Sequence, residues 1–176
     1  PIATEVEDAR EMIATAAEED RFLGVVFQNR YNQSSRYVKQ LIASEELGSI
    51  QGVKGIVTWH RDQGYYEQDE WRGKAETEGG GVLINQAIHT LDLLQWFGGE
   101  LEAVKGHVDT RTLEDIIQVE DTADATLYFK NGVVGIFYAT NSYSSNSPIE
   151  IELEFEKGKV KITGDQVEIS QANNKN

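Results

Sequence analysis

The sequence predicts an α+β protein in which a mostly antiparallel, open β-sheet carries helices on one face. Three observations predict this class. Helical spacing of apolar residues dominates the part before Leu101, alternation with a period of two dominates the part after it, and short turn signals separate the later segments. Because consecutive strands joined by tight turns must be antiparallel, the second half predicts one antiparallel sheet that the helices cover on one face.

The elements predicted before Leu101 alternate between helices and strands. Thr4 and Glu7 form a capping box that begins a helix over residues 5–20. Its apolar stripe is intact, which favours a packed helix with a solvated acidic face over an acidic interaction tail. The other predicted elements are a buried strand over 22–27, a helix over 34–46, a strand over 50–59, a loop over 60–78 and a helix over 82–97.

From Leu101 onward, alternating apolar and polar residues predict six strands. Asn131-Gly132 lies between two alternating runs and is the strongest hairpin signal in the chain. The predicted strands cover residues 101–111, 121–130, 133–143, 149–156, 158–163 and 166–169.

The composition excludes several classes of function. The chain has 176 residues with 30 acidic and 16 basic side chains, a formal net charge of −14 and no cysteine. This charge argues against nucleic acid or an anionic membrane as a partner, because phosphate-binding surfaces need clustered Lys and Arg. Without cysteine, the chain has no disulfide and no thiol nucleophile. No apolar run reaches the roughly 18 residues that span a bilayer, and the beginning does not resemble a signal peptide, so we expect a soluble, cytoplasmic protein.

The segment after three consecutive glycines carries the best candidates for catalysis. On a helix over 82–97, the side chains of Asn85, His89 and Asp92 share an arc of about 60°. His89 titrates nearest neutrality and is the candidate general acid or base, with Asn85 or Asp92 available to fix its tautomer. A satisfied core histidine with two polar neighbours is the alternative, and these residues alone leave it open.

The glycines and the other histidines predict neither a nucleotide site nor a metal site. Gly79–Gly81 lacks the Lys-Ser or Lys-Thr of a phosphate loop and the spacing of a dinucleotide-binding turn. We expect these glycines to allow close approach of the backbone to another group. His60 and His107 have no partners at ligand spacing, so we predict no metal. Metal-dependent hydrolysis through His89 and Asp92 is kept as an alternative of another class.

The loop over 59–74 combines aromatic rings with basic side chains. Its members include Arg61, Tyr65, Trp71 and Arg72. Aromatic faces beside such donors suit a polyol or sugar ring, with or without a phosphate, because stacking covers the apolar face of the ring while the donors bind its oxygens. A surface loop held in place by its aromatic residues explains the same composition. The position just before the glycines and His89 favours the binding interpretation.

Five segments of the chain carry a resemblance to a known family. The most specific is Gly79–Asp92, which reads Gly-Gly-Gly-Val-Leu-Ile-Asn-Gln-Ala-Ile-His-Thr-Leu-Asp. The supporting segments are Pro1–Ala3 ahead of an acidic helix, Phe27–Tyr31, Leu47–Ile50 and Trp71–Gly73. Together they resemble the substrate domain of the glucose-fructose oxidoreductase and inositol dehydrogenase (Gfo/Idh/MocA) family. The resemblance implies an NAD- or NADP-dependent oxidoreductase acting on a hydroxyl of a sugar, a sugar derivative or a cyclitol.

The resemblance also implies how the chain divides. Pro1 matches the Pro of the family's Glu-Lys-Pro turn, so we expect the catalytic Lys and the cofactor-binding Rossmann domain upstream of this chain. Residues 1–20 are then a remnant helix of that domain, and residues 21–176 form the substrate-binding and oligomerisation domain. On this interpretation NAD or NADP is bound by the domain missing from this chain, and the chain alone is inactive.

Site residues follow from the resemblance by position. His89 matches the family histidine that accepts or returns the hydroxyl proton, and Asn85 stands where members commonly have Asp. Because Asn cannot take a proton, the base role falls on His89. The implied substrate-binding residues are Arg61, Tyr65, Trp71, Arg72 and Asp92. The family further implies a homodimer or homotetramer through the open sheet face, whereas a non-catalytic binding or dimerisation module that keeps the fold is the alternative.

Overall fold

The computed structural model describes residues 2–171, so the prediction for Pro1 lies outside the described residues. The helices are α1 (Val6–Glu18), a 3-10 helix over Gln28–Tyr31, α2 (Gln33–Ser44), α3 (Gln63–Tyr66), α4 (Ala75–Glu78) and α5 (Ile88–Gly98). The strands are β1 (Ile50–Thr58), β2 (Leu101–Asp109), β3 (Thr122–Phe129), β4 (Val134–Thr140), β5 (Glu150–Phe155), β6 (Gly158–Thr163) and β7 (Gln166–Gln171).

These strands form one open sheet in the order β2-β3-β4-β1-β5-β6-β7. Neighbouring strands pair in antiparallel fashion except for β1 and β4, which are parallel. The hairpin predicted at Asn131-Gly132 is present, and Gly132 has the positive φ of 85° that such a tight turn favours. The predicted α+β class with a mostly antiparallel sheet is therefore confirmed.

The core lies between the sheet and α5, which crosses β1 near the middle of the sheet. Val53 and Val57 of β1 are buried beneath the helix together with Leu94 of α5. Gly55 lies between these valines, and a Cβ atom there would stand 2.7 Å from Leu94 Cδ1. The glycine therefore lets the helix lie close to the strand. The side chains of Ile56, Ile136 and Tyr138 belong to the opposite sheet face, which no helix of the described residues covers.

The buried strand predicted over 22–27 is wrong. This segment is irregular and exposed, and Phe22 is 97% exposed while Val26 is 69% exposed. A buried strand needs a neighbour for its backbone N–H and C=O groups, and none of the seven strands described pairs with this segment. An apolar run in the sequence marks side chains that favour burial, but it does not supply the partner that buries them.

The predicted first helix exists, but its packing and its cap differ from the prediction. No side chain caps α1 at its N-cap residue Glu5, and none of its residues is buried. The methyl group of Thr4 lies instead against Gly79, where a Cβ atom would stand 2.4 Å from Thr4 Cγ2. The capping box predicted from Thr4 and Glu7 is therefore wrong, and α1 does not belong to the helical layer on the sheet.

The helix predicted over 82–97 begins six residues later, at Ile88. Residues 82–87 form turns. The N–H of Val82 donates to the carbonyl of Glu120, outside the segment, and the N–H of Ala87 donates to the carbonyl of Val82, which is not the spacing of an α-helix. Asn85 consequently lies on these turns, and the calculated arc of three helical side chains does not apply to it. The predicted loop over 60–78 contains the short helices α3 and α4. Among the described residues, no helix combines the length and apolar character that crossing a bilayer requires.

Candidate active site

A cavity of about 430 Å³ lies in front of the first turn of α5. Its walls come from the beginning of the chain, from the exposed segment before the 3-10 helix and from the turns that lead into α5. Of the seven predicted site residues, Trp71, Asn85 and His89 line this cavity. The other lining residues are Ala3, Thr4, Val25, Val26, Phe27, Glu78, Ile84 and Ile88.

The three glycines bring the backbone against Glu120, not against a ligand. The N–H groups of Gly81 and Leu83 donate to the two carboxylate oxygens of Glu120, at 2.9 and 3.0 Å. A Cβ atom on Gly81 would lie 1.9 Å from the carbonyl oxygen of Glu120, so only glycine fits there. The close approach predicted for the glycines is thus present, and it fixes the turns that carry Asn85 into the cavity.

His89 stands in the first turn of α5 with its two ring nitrogens in different surroundings. Its ring packs edge-on against Phe27, with the centroids 6.1 Å apart. Nε2 lies 3.3 Å from Nε2 of the exposed Gln28, whereas Nδ1 is buried and has no hydrogen-bond partner among residues 2–171. With the proton of the neutral ring assigned to Nδ1, Nε2 accepts a hydrogen bond from the Gln28 amide.

The residue predicted to share a polar stripe with His89, Asn85, is held by a buried carboxylate. Its side-chain N–H donates to Oε1 of Glu78 at 2.6 Å. The second oxygen of Glu78 accepts from the backbone N–H of Gly73, also at 2.6 Å. Glu78 is 8% exposed, and it joins the turn after Trp71 to the turns before α5. Asn85 therefore does not fix the tautomer of His89, and that prediction is wrong.

Asp92 also has a partner other than His89. Its two oxygens accept from Nε and Nη2 of Arg30 at 2.8 and 2.6 Å, a bidentate pair. Hydrogen bonding to Asp92 raises the pKa of Arg30, although burial opposes this. Both residues line a second cavity of about 620 Å³ between α5 and the strands β2 and β3. The structure therefore separates Asp92 from the His89 cavity, with its carboxylate already neutralised.

Arg61, Tyr65 and Arg72 form a stack outside the lining of the His89 cavity. The guanidinium groups of Arg61 and Arg72 lie 4.9 and 4.2 Å from the centroid of the Tyr65 ring. Arg72 also stands 5.1 Å from the ring of Trp71, the member of this loop that lines the cavity. The aromatic and basic residues of this part of the loop therefore pack against one another.

A buried network connects this stack to the core. Gln86 donates to the hydroxyl of Tyr65 at 3.1 Å and accepts from Asn141 at 3.1 Å. Asn141 also donates to the hydroxyl of Tyr66 at 3.1 Å. Burial raises the pKa of Tyr66 to about 12, although the hydrogen bond from Asn141 opposes this, so the phenol stays neutral near pH 7. These contacts tie the loop to the buried core.

Sequence reasoning missed three residues that shape the cavity: Gln28, Glu78 and Glu120. Gln28 and Glu120 contact residues 61 and 39 positions away in the sequence, which no local pattern reveals. Glu78 is separated from Asn85 by seven positions, but the turns between them have no regular spacing. An acidic residue placed directly before three glycines was the one available signal. Within residues 2–171, no group of three His, Asp or Glu side chains is arranged to hold a metal ion.

The fold and the site define an α+β domain that presents one histidine at a cavity beside an open sheet. The chain belongs to the family described as GFO/IDH/MocA C-terminal domain, whose model matches residues 35–161, more than half of the chain. The resemblance stated from the sequence is thereby confirmed.

Solved structures similar to this chain include two dehydrogenases. The WlbA dehydrogenase from Bordetella pertussis, solved in complex with NADH and UDP-GlcNAcA, is 35% identical with a TM-score of 0.89, over 97% of this chain and 53% of that chain. The WlbA dehydrogenase from Chromobacterium violaceum, with the same two ligands, is 33% identical with a TM-score of 0.86, over 99% and 52%.

A curated relative is the levoglucosan dehydrogenase of Pseudarthrobacter phenanthrenivorans. It is 23% identical over 184 residues, which are 91% of this chain and 47% of the relative. The chain thus spans about half the length of these similar proteins.

Proposed function

We propose that this chain is the substrate-binding and oligomerisation part of an NAD- or NADP-dependent oxidoreductase that acts on a hydroxyl of a sugar or sugar derivative. The observation that carries the proposal is the cavity at α5, where His89, Asn85 and Trp71 meet. Membership of the family and the NADH-bound dehydrogenases among the similar structures support it.

In this proposal His89 accepts the proton of the reacting hydroxyl, and returns it in the reverse reaction. Its Nε2 has an exposed amide as its partner, and that amide can be displaced when a substrate hydroxyl approaches. Nε2 then takes the hydroxyl proton as the C–H bond breaks and the carbon–oxygen double bond forms. When bound, NAD or NADP supplies the acceptor for the hydride that leaves the carbon. The edge-on Phe27 ring holds the imidazole in its place during the transfer.

The glycine turn does not fit a cofactor phosphate. The N–H groups of Gly81 and Leu83 already donate to Glu120, so they are not free to hold an anion. We therefore assign cofactor binding to a separate domain, to which residues 1–20 also belong, and substrate binding to residues 21–176. The absence of any buried residue in α1 supports this division, because a helix with an apolar stripe needs a surface to cover it.

The proposed substrate is a sugar that carries an anionic group, such as a nucleotide-linked sugar acid. Trp71 provides an aromatic wall for the sugar ring. The guanidinium of Arg72, which is paired with Asp69, stands 5.1 Å from the Trp71 ring, and Arg61 stacks on Tyr65 beside it. Such cations would bind an anionic portion that extends beyond the ring. UDP-GlcNAcA, bound by the two similar WlbA dehydrogenases, has both parts.

The open face of the sheet is proposed as the contact with a second copy of the chain. Tyr128, Val134 and Ile136 lie together there and are 39, 45 and 53% exposed. Lys54 and Glu152 form an ion pair beside them. An apolar centre with a charged margin is the usual composition of a subunit interface. Size-exclusion chromatography with light scattering of Ile136→Asp should show a smaller particle than the native protein, and an unchanged mass would reject this face.

Turnover by the full-length parent protein tests the catalytic proposal. The assay measures formation of NADH or NADPH with a panel of sugars, cyclitols and UDP-linked sugar acids. His89→Ala should lower kcat by about 100-fold or more, the usual contribution of a general base. His107→Ala is the matched control, because His107 is exposed on β2 and lies outside the His89 cavity.

Two results would contradict the proposal. Equal turnover of the native protein and His89→Ala would show that His89 does not accept the proton of the hydroxyl. Binding of sugars without any oxidation by the native parent protein would favour the non-catalytic binding module instead.

A further inference from the structure

The carboxylate of Glu78 is a buried titratable group at the cavity for which the mechanism above has no use. It is 8% exposed, and its two oxygens accept from the side chain of Asn85 and the backbone of Gly73, both at 2.6 Å. Gly73 lies two residues after Trp71, and Asn85 lies four residues before His89 on the turns that lead into α5, so one carboxylate connects the two walls of the cavity.

The side-chain N–H of Asn85 donates to a carboxylate oxygen of Glu78, and this bond sets the orientation of the Asn85 amide. The amide must turn its N–H toward Glu78, since the opposite orientation would place two oxygens against each other. The backbone of Asn85 is fixed as well, because its N–H donates to the carbonyl of Gly81. Within residues 2–171 the amide oxygen of Asn85, a side chain that lines the cavity, receives no hydrogen bond.

We propose that Glu78 is a positioning residue that holds the amide oxygen of Asn85 toward the cavity, so that the site recognises a hydrogen-bond donor on the substrate. The donor is a hydroxyl or an amide N–H of the sugar. This rests on the proposed function, and it adds a chemical requirement that the function alone does not contain.

The pair also explains why this chain has Asn at position 85. An Asp side chain there would bring two carboxylates to within about 3 Å of each other, and like charges at that distance cannot both stay ionised. With Asp at position 85 one of the two groups would have to take up a proton, whereas an amide there pairs with the Glu78 carboxylate without that change. The two residues form a matched donor and acceptor, and changing either one alone breaks the match.

Two single substitutions and their combination test the proposal. In Glu78→Gln, the new amide oxygen keeps the bond from Gly73 and the new N–H₂ faces Asn85, which must then turn its own N–H₂ into the cavity. In Asn85→Asp, the two carboxylates repel each other. In the double variant, the new amide at position 78 donates to the new carboxylate at position 85, and an oxygen faces the cavity again. Glu76→Gln, on the exposed side of the same helix α4, is the matched control for the loss of one charge.

The first measurement is independent of activity. In the full-length protein labelled with ¹⁵N-asparagine, the side-chain N–H₂ signals of Asn85 are identified by their loss in Asn85→Asp. We expect them to shift and to exchange faster with solvent in Glu78→Gln, because the charge-assisted bond is lost. They should be unchanged in Glu76→Gln. Identical Asn85 signals in native protein and Glu78→Gln would overturn the proposal.

The second measurement is steady-state kinetics with the substrate that the parent protein oxidises. Each single substitution should raise KM about tenfold, the effect of leaving one polar group without its partner, with a smaller change in kcat. The double variant should recover most of the loss in KM. If Glu78 only stabilised the fold, KM in the double variant would be raised as much as in the single variants or more. That result would overturn the proposal.

The two measurements separate the proposal from the proposed function. A parent protein that oxidises no sugar refutes the function, and the Asn85 signals still decide whether Glu78 orients the amide. If turnover depends on His89 but the Asn85 signals do not change in Glu78→Gln, the proposed function stands and the positioning role of Glu78 is refuted.

Discussion

Replacing Gly81 with alanine should unfold or strongly destabilise the domain, and the structure gives the size of the effect. The added Cβ atom would lie 1.9 Å from the carbonyl oxygen of Glu120 and 2.9 Å from its carbonyl carbon. The two backbone segments must separate by more than about 1 Å to reach van der Waals contact. Three hydrogen bonds join them: Val82 to the Glu120 carbonyl at 2.9 Å, and Gly81 and Leu83 to its carboxylate at 2.9 and 3.0 Å.

Such a separation breaks all three bonds, two of which end on a charged group. A neutral hydrogen bond contributes about 1 kcal/mol and one to a charged group about 1.5–3 kcal/mol, so we expect a loss of about 4–7 kcal/mol of folding free energy. Urea unfolding followed by circular dichroism measures this loss. Gly80→Ala is the matched control, because its Cβ atom would meet only side-chain atoms, with Ile84 Cγ2 nearest at 3.2 Å and Glu120 Oε2 at 3.9 Å. A Gly81→Ala protein within about 1 kcal/mol of Gly80→Ala would refute the reasoning.

Two further predictions concern buried carboxylates, and both use the same urea assay. Burial favours a higher pKa for Asp121, but hydrogen bonds from Thr112, Thr122 and Arg111 outweigh it and lower the pKa below 3.8. Its stabilisation is therefore present above pH 3.8 and is lost as the pH falls through the lowered value. Asp121→Asn should cost about 2–4 kcal/mol at pH 7 and weaken the pH dependence below pH 4; equal pH profiles would contradict this. Arg30→Met should cost about 3 kcal/mol because Asp92 is left buried and unpaired, and adding Asp92→Leu should restore most of it. A double variant as unstable as the single one would show that the charge of Asp92 is not the cause.

The second half of the fold follows from the sequence because its signals are local. All six strands predicted from Leu101 onward are present as β2 to β7, and burial alternates along β4, β5 and β6, whereas β2 is exposed along nearly its whole length. The Asn131-Gly132 turn fixes the pairing of β3 with β4. The parallel pairing of β1 with β4 has no such signal, since the two strands lie far apart in the chain. The apolar run over 22–27 is a second case in which local signals mislead. Its composition indicates a buried strand, but the described residues contain no strand that pairs with it.

The sequence identified several residues of the candidate site, but it did not predict which residues they contact. Spacing and chemistry identified Asn85, His89 and Trp71, which line one cavity. The partners of these residues depend on irregular turns, where helical spacing does not apply. Both Asn85 and Asp92 bond to charged side chains that the sequence did not connect with them. The homo-oligomeric state and the cytoplasmic location stay predictions.

The central position of β1 determines the order in which the sheet can be completed. Strands β2 to β4 follow one another as a meander, and so do β5 to β7, so each trio can form from short-range pairings. The two trios share no pairing and are joined by β1, which enters between β4 and β5 from the other end of the chain. Closing that long loop has a large entropic cost, which slows folding. Pulse-labelled hydrogen exchange during refolding should protect the amides of β3 and β6 before those of β1, and early protection of β1 would contradict this order.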